Sequence, residues 1–484
     1  MENCINCFLP VVSVEHAKIM VERLRGESML NEVFLLSTTD CKVDGCTTIT
    51  VNDFTSTETL RAVAKHATTT YSLLVTKLTD VMLGSNALCR FLQIANDTDA
   101  EVLFSDYFTS SNGAIALHPT IDYQRGSLRD DFDFGSVWFF RSDLLKNYLP
   151  KAATDYTFAG LYAFRLHWGH FAKVNHVNEP LYTEIETDLR KSGEKQFDYL
   201  LGKHREAQIE MEKACTEHLK TIGGWLPERT TPVVFEGNFP VEASVIIPVR
   251  NRAKTITDAI RSVLAQETKF DFNVIVVDNH STDGTSEAIE TLAKENNKVV
   301  HLVPERNDLG IGGCWNLGVN SAVCGRFAVQ LDSDDVYSSP QTLQRIVDEF
   351  HKQKCAMVIG SYTLTDEDMN ILPPGLIDHK EWTDDNGHNN ALRVNGLGAP
   401  RAFFTPVFRA IQMPNTSYGE DYMMGLSICR NYRIGRIFDS LYFCRRWSGN
   451  SDAALTTEQI NRNNKYKDWI RTNELEARIR MNQK

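Results

Sequence analysis

From residue 241 to about residue 340, short apolar runs alternate with stretches of helical periodicity. Ser244-Val245-Ile246-Ile247-Pro248-Val249 is β-branched and apolar throughout, which predicts a buried strand. Ile256, Ala259, Ile260, Val263 and Leu264 then recur at i, i+3, i+4, i+7 and i+8, one face of a helix. Val274 to Val277 predicts a second strand ending on Asp278, followed by a polar turn and a helix carrying Ile289 and Leu292. A strand from Val299 to Val303, a further helix and a strand from Phe327 to Leu331 complete the pattern, the last ending on Asp332. Such alternation predicts an α/β fold, an open and mostly parallel sheet flanked by helices on both faces. Ligands of such sheets bind beyond the carboxyl ends of the strands, where Asp278 and Asp332 both stand.

The pattern is written twice. At one constant spacing, Thr76-Lys77-Leu78-Thr79-Asp80-Val81 precedes Leu331-Asp332-Ser333-Asp334-Asp335-Val336, and Leu88, Arg90 and Tyr107 fall on Leu343, Arg345 and Tyr362. Phe8-Leu9-Pro10-Val11 matches Ile246-Ile247-Pro248-Val249, Asp155-Tyr156 matches Asp421-Tyr422, and Pro180-Leu181-Tyr182 matches Ser440-Leu441-Tyr442. This ordered series predicts two copies of one domain, residues 1–185 and 241–455. Residues 186–240 form a connector: Leu200, Leu201, Ile209, Met211 and Leu219 lie scattered among charges, a solvated helix that Gly223-Gly224 and Pro227 end. Residues 456–484 are expected to be a helical tail. At about 100–200 residues per domain, 484 residues accommodate this plan.

Composition narrows the partners. The net charge is −12, which disfavours a general nucleic-acid binder, since that needs a basic face. No apolar run reaches the ~18–20 residues of a membrane span, and Met1-Glu2-Asn3-Cys4 does not open a secretory signal, so a cytoplasmic protein is expected. Eleven cysteines then read as reduced thiols. Cys4, Cys7, Cys41 and Cys46 lack a knuckle that would favour zinc.

Asp332, Asp334 and Asp335 are three carboxylates within four residues at a strand end, a costly arrangement unless a cation offsets them. Oxygen-only donors suit Mg²⁺ or Mn²⁺ sharing phosphate oxygens of a substrate. The plainer reading makes them caps for a helix that Ser338-Ser339-Pro340 opens, with Pro at the first position. Asp278 can accept from a ring N–H of a nucleotide base, while Asp283 and Gly284 also make a good helix-start turn. Arg250 and Arg252 follow the first strand, within reach of a diphosphate. Gly310-Ile311-Gly312-Gly313 opens a helix and lets a ligand approach the backbone; its spacing is not that of a phosphate-cradling loop. Glu420-Asp421 precede an apolar helix, as dipole-complementing residues or as a general base. Cys444 to Ser451 offers Arg445, Arg446 and the Trp447 face.

In this order, Val245 to Asn251, Val277 to Thr285, Asn316-Leu317-Gly318, Asp332-Ser333-Asp334-Asp335 and Glu420-Asp421 resemble the inverting family 2 glycosyltransferases. The resemblance is close from about Val241 to Ser451 and weaker over the first copy. It implies two tandem A-type nucleotide-sugar domains, with a nucleotide diphosphate sugar as donor, UDP-linked more often than GDP-linked. Pro248, Asp278 and Asp283 would lie around the nucleoside, with Arg250, Asn251, Asn316, Arg445 and Trp447 as further donor contacts. Asp332, Asp334 and Asp335 would hold ribose and Mn²⁺ or Mg²⁺. Asp421, or else Glu420, would be the base for a single inverting displacement by a glycan, lipid-linked or other hydroxyl acceptor. The transferred group would be a hexosyl or N-acetylhexosaminyl unit. Arg250 replaces the family's usual aromatic residue, and Trp447 its usual histidine. In the first copy Lys77 and Thr79 replace Asp332 and Asp334, Ser37 falls near Asp278, and Thr154 faces Glu420, so residues 1–185 are expected to have lost donor chemistry. Acceptor binding, dimerisation or support of the second copy remain as roles for them.

Two other classes stay in view. A non-catalytic saccharide- or nucleotide-binding protein is disfavoured by the acids kept in the second copy. A sugar-nucleotide nucleotidyltransferase is disfavoured because Pro248 to Lys254 contains no glycine. The tail from Asn461 has more Lys and Arg than Asp and Glu, with Trp469 and Ile470 among them, so peripheral contact with the inner face of a membrane is a second expectation beside a packed helix. Acceptor contacts are expected from Asp366 to Asn395.

Overall fold

The computed structural model describes residues 4–185, 202–227, 231–447, 450 and 455–483. Two compact units result: Met1–Trp225 together with Thr456–Lys484, and Leu226–Leu455. Among the described residues each contains one nine-stranded sheet.

Unit 1 holds β1 (Ile5–Val11), β2 (Leu30–Ser37), β3 (Thr47–Thr50), β4 (Tyr71–Val75), β5 (Asp80–Leu83), β6 (Val102–Ser111), β7 (Ala114–His118), β8 (Val137–Arg141) and β9 (Val174–Ile185). Unit 2 holds β10 (Ala243–Val249), β11 (Phe272–Asp278), β12 (Val299–Leu302), β13 (Phe327–Gln330), β14 (Val336–Tyr337), β15 (Met357–Thr365), β16 (Ile371–Ile377), β17 (Arg401–Phe404) and β18 (Ile434–Arg445). The first sheet runs β3-β2-β1-β4-β8-β6-β9-β5 with β7 on β6; the second runs β12-β11-β10-β13-β17-β15-β18-β14 with β16 on β15. The two orders are the same path. Both sheets are parallel over their first four strands and mixed beyond, because β8 and β17 enter antiparallel.

The local reasons are those of the pattern. Every residue of β11 and nearly every residue of β10 is buried, as befits central parallel strands covered on both faces. The helix Ile256–Leu264 buries Ile256, Ala259, Ile260 and Val263, the predicted stripe. The helix Thr342–Gln353 begins later than expected: Gln341 is its cap and Pro340 lies outside it. The glycines before and within the helix Ile311–Asn320 admit protein rather than ligand. A Cβ on Gly312 would stand 2.0 Å from the carbonyl oxygen of Pro414, so the segment 414–416 occupies the space.

The expected connector divides. Asp188 to Leu201 lies outside the described residues. The helix Gly202–Thr221 belongs to unit 1, where Ala214, Cys215 and Leu219 are buried, so it is an integral layer and not a solvated link. The tail is likewise part of unit 1. Thr457–Asn482 is one helix opened by a Thr456/Gln459 capping box, and it passes so close to Gly126 that a Cβ there would meet the backbone nitrogen of Thr472 at 2.1 Å. Its buried face is charged. Asp468, fully buried, accepts from Arg129 Nε at 3.1 Å and from Arg471 Nη1 at 2.9 Å, and Glu474 pairs with Arg478 at 2.7 Å. Trp469 stays on the outside, stacked on Tyr466. No helix among the described residues is long and apolar enough to cross a membrane.

Removing one member of a buried ion network leaves its partners charged and desolvated. Asp468→Ala is therefore expected to destabilise unit 1 by about 3–5 kcal/mol. Urea denaturation followed by a unit 1 probe checks this, and a loss below 1 kcal/mol would refute it.

Candidate functional site

A cavity of about 300 Å³ opens beyond the carboxyl ends of β10 and β13. Its acidic wall is Asp332, Asp334 and Asp335 from the β13–β14 turn, with Glu420 and Asp421 from the first turn of the helix Glu420–Cys429. Arg252, Arg401 and Arg446 also reach it.

The carboxylates are held by a relay of neutral groups. Gln330, the last residue of β13, accepts from the backbone N–H of Arg401 at 3.0 Å and donates its Nε2 to both oxygens of Asp332 at 3.0 and 3.1 Å. Tyr442 Oη lies 2.8 Å from Asp332 Oδ2 and 2.6 Å from Asp335 Oδ2. A phenol has one proton and can donate to only one of them. Burial first, then Asp332 and Asp334, raises the Asp335 carboxyl well above the usual range. The phenol thus ties the two carboxyl groups together through one donated hydrogen bond and one further short contact. The other Asp335 oxygen accepts from the Arg445 backbone N–H at 2.8 Å.

Asp334 faces the cavity. Asn450 Nδ2 donates to it at 3.2 Å, the Trp447 indole N–H lies at 3.4 Å, and Arg252 Nε is 3.7 Å away. Burial and then Asp332 push its carboxyl up. Asp421 pairs with Arg401 Nη1 at 2.6 Å. Glu420 is buried, its Oε2 has no hydrogen-bond partner, and burial with Asp421 beside it pushes the carboxyl up to about 8 against the pull of Arg401.

The structure thus brings Pro248, Asp332, Asp334, Asp335, Glu420 and Asp421 to one cavity, with Trp447 on Asp334. Other candidates serve the turns around it. Asn251, at φ 54°, accepts from the Thr282 N–H, and Asp283 receives the N–H groups of Ala253 and Thr285. Arg250 is exposed beyond the strand. Asn316 exchanges two hydrogen bonds with the backbone of Met413. Asp278 is buried and accepts from Ser281, Ser286 and His301; burial would raise its carboxyl, and these bonds hold it below the ordinary range. Arg445 turns away to Asp258, at 3.1 Å, and to the backbone of Asp334, and it is Arg446 that lines the cavity. Successive residues leaving a strand point to opposite sides, which exchanges the two roles. Ser448, Gly449 and Ser451 lie outside the described residues.

Gln330, Arg401 and Tyr442 were not legible as site residues. The one signal was a polar side chain closing an apolar strand, as Gln330 does after Phe327-Ala328-Val329.

Strand register also corrects the comparison of the copies. Leu73 pairs with Phe139 as Val329 pairs with Ala402, so Leu74 and Trp138 stand where Gln330 and Arg401 stand. Val102 pairs with Val174 as Met357 pairs with Ile434, and Tyr162 donates to the Leu128 carbonyl as Tyr422 does to that of Ala391. The counterparts of Glu420 and Asp421 are therefore Gly160 and Leu161, not Thr154 and Asp155, and the recurrence of Asp-Tyr at 155–156 is coincidental. Lys77 bonds to Glu184 at 3.3 Å, and Asp80 is spent on His16 and Arg23.

Residues 244–412 match the protein family described as Glycosyl transferase family 2. Among curated proteins, an uncharacterized glycosyltransferase of Nostoc sp. is 35% identical over 126 residues, 26% of this chain and 38% of that protein. The poly(ribitol-phosphate) beta-N-acetylglucosaminyltransferase TarS of Staphylococcus aureus is 39% identical over 113 residues, 22% of this chain and 19% of that protein. Among solved structures, S. aureus TarS in complex with UDP-GlcNAc aligns at 25% identity and a TM-score of 0.36, over 44% of this chain and 62% of that one.

Glu420 generates a pH prediction. Its folded carboxyl keeps a proton that the unfolded chain, near 4.5, has already released, so its burden on stability grows from about pH 4.5 to about pH 8. Glu420→Gln is expected to raise Tm more at pH 8 than at pH 5. An equal shift at both would contradict the buried, charge-crowded setting.

Proposed function

We propose that unit 2 is a metal-dependent inverting glycosyltransferase, moving a hexosyl or N-acetylhexosaminyl group from a nucleotide diphosphate sugar to a hydroxyl acceptor. The observation that carries this reading is the meeting of Asp332, Asp334, Glu420 and Asp421 with Arg252 and Arg401 in one cavity at the strand ends. The family match over residues 244–412 supports the same class. A UDP-sugar is the donor that the sequence resemblance favours.

The residues fit a hard divalent cation. The donors are all oxygen, and Asp334 and Asp332 raise the free energy of their shared charge. Asp334 and Asp332 would hold Mn²⁺ or Mg²⁺, while Asp335, with both oxygens engaged, positions Tyr442 and the turn. When bound, the ion supplies positive charge to the departing diphosphate.

The chain's own groups do the rest. Pro248 and Asp278 border the nucleoside, and Asp283 anchors the turn that carries Arg250 and Arg252. Arg252 and Arg446 offer guanidinium groups to the diphosphate. Asp421, oriented by Arg401, takes the proton of the acceptor hydroxyl. The acceptor oxygen forms its bond to the anomeric carbon as the bond from that carbon to the phosphate oxygen breaks, and the electron pair leaves on the nucleoside diphosphate. One displacement inverts the anomeric centre. Glu420, kept protonated by burial and by Asp421, limits the negative charge beside the base. Unit 1 keeps the sheet without the acids and is assigned no donor chemistry.

Titration of the purified protein with Mn²⁺ and a panel of nucleotide sugars, with donor hydrolysis as readout, tests the reading. We expect metal-dependent binding and slow hydrolysis of one donor. Asp334→Asn should lower turnover at least about 100-fold, while Asp80→Asn leaves it within about twofold. Equal losses from both substitutions would refute the division of labour, and a panel with no donor bound would refute the enzyme.

A further inference from the structure

Unit 1 contains a second cavity, of about 360 Å³, remote in sequence from its blunted strand-end cleft. It lies among the end of the helix Ser142–Tyr148, the turn that follows, and the helices Gly160–Phe171 and Gly202–Thr221. One wall is a continuous aromatic strip: Tyr148 contacts His167 at 4.9 Å between ring centroids, and His167 contacts Phe171 at 5.0 Å. Phe171 is 53% exposed at the end of that strip, unusual for a phenylalanine with a core beside it. Alanines make up much of the remaining surface. The polar feature opposite is Glu217, which accepts from Thr154 Oγ1 and from Tyr156 Oη, both at 2.7 Å.

We propose that this cavity is a binding site for a neutral saccharide, with the aromatic strip covering a sugar ring's C–H face and Glu217 accepting from its hydroxyls. Thr154 and Tyr156 fix the carboxylate without exhausting it, because a carboxylate accepts at about four lone-pair sites. Burial and the adjacent Glu217 hold the Tyr156 phenol in its protonated, donating form. Burial, then Lys151, lowers His167, so that ring is a neutral aromatic surface. The mixed charge of the lining favours neither an anion nor a cation. Glu217 repels an anion. Lys151 in the lining, and Lys213 Nζ at 5.9 Å from the Tyr156 ring, oppose a cation. An alkyl chain would strip water from Glu217 and return no hydrogen bond, a loss of the kind that buried polar groups do not tolerate. A small polyhydroxylated ring satisfies both surfaces at once, and the volume falls within the range of ligand pockets.

This reading does not depend on chemistry in unit 2, and its test is one of binding alone. Saturation-transfer NMR on the full chain would use methyl β-D-glucopyranoside, methyl N-acetyl-β-D-glucosaminide and a neutral tetrasaccharide, with tetramethylammonium and 1-hexanol as competing probes. At least one saccharide should bind saturably, and Glu217→Gln and Ala163→Phe should each weaken it tenfold or more. Ala153→Trp, at an exposed position on the rim, serves the same end if Ala163→Phe proves unstable. Asp334→Asn should leave saccharide binding unchanged. The proposal falls if no saccharide binds, if tetramethylammonium or hexanol binds in preference, if cavity variants have no effect, or if Asp334→Asn removes the signal. UDP binding, followed in parallel, reports on unit 2 separately, so failure of one reading is distinguishable from failure of the other.

Discussion

Repulsion among carboxylates is the constraint on which the strand-end site of unit 2 depends. Asp332, Asp334, Asp335, Glu420 and Asp421 line one cavity, and like charges at such separations raise one another's proton affinity. The protein offsets this with a set of devices: the Arg401–Asp421 pair, the Gln330 amide on Asp332, and the Tyr442 hydroxyl between Asp332 and Asp335. Each device comes from a different strand, β17, β13 or β18. The sheet's strand order is therefore a condition of the chemistry. Without β17 beside β13, Gln330 would lose the Arg401 backbone that orients it.

The same sheet without these devices is found in unit 1, and the contrast shows what the devices are for. Leu74 and Trp138 take the places of Gln330 and Arg401, and Gly160 and Leu161 those of Glu420 and Asp421. With the acids gone, nothing remains for the amide and guanidinium to offset. Lys77 and Glu184 close an internal pair where unit 2 leaves an acidic cleft. The fold was retained because its core positions are independent of the cleft: β1 is buried along its whole length as β11 is. Unit 1 has instead kept polar side chains elsewhere, most clearly Glu217 facing an aromatic wall.

Unit 1 also places charges in its interior, on the terminal helix. Asp468, Arg471, Glu474 and Arg478 are buried together, and Asp468 receives both Arg129 and Arg471. Such networks confer little net stability compared with apolar packing, but they penalise any register in which a partner is missing. They specify where the helix docks. Gly126, with Thr472 lying where a side chain would project, adds a steric requirement for the same position.

The alternation of apolar runs and helical stripes determined the α/β class, the repeat and the placement of Asp278 and Asp332 at strand ends, because burial on both faces of a parallel sheet writes itself into local composition. The acids of the second copy were legible for the same reason, since carboxylates clustered at a strand end have few purely structural uses. What the sequence did not determine was any property set by which strands become neighbours. The roles of Gln330, Arg401 and Tyr442, the exchange of Arg445 for Arg446, and the true counterparts of Glu420 and Asp421 all follow from register across strands distant in the chain. The terminal helix shows the same limit. Its buried face is ionic, so hydrophobic periodicity does not separate a packed helix from a solvated one, and only the partner Arg129, more than 300 residues away, reveals the face as interior.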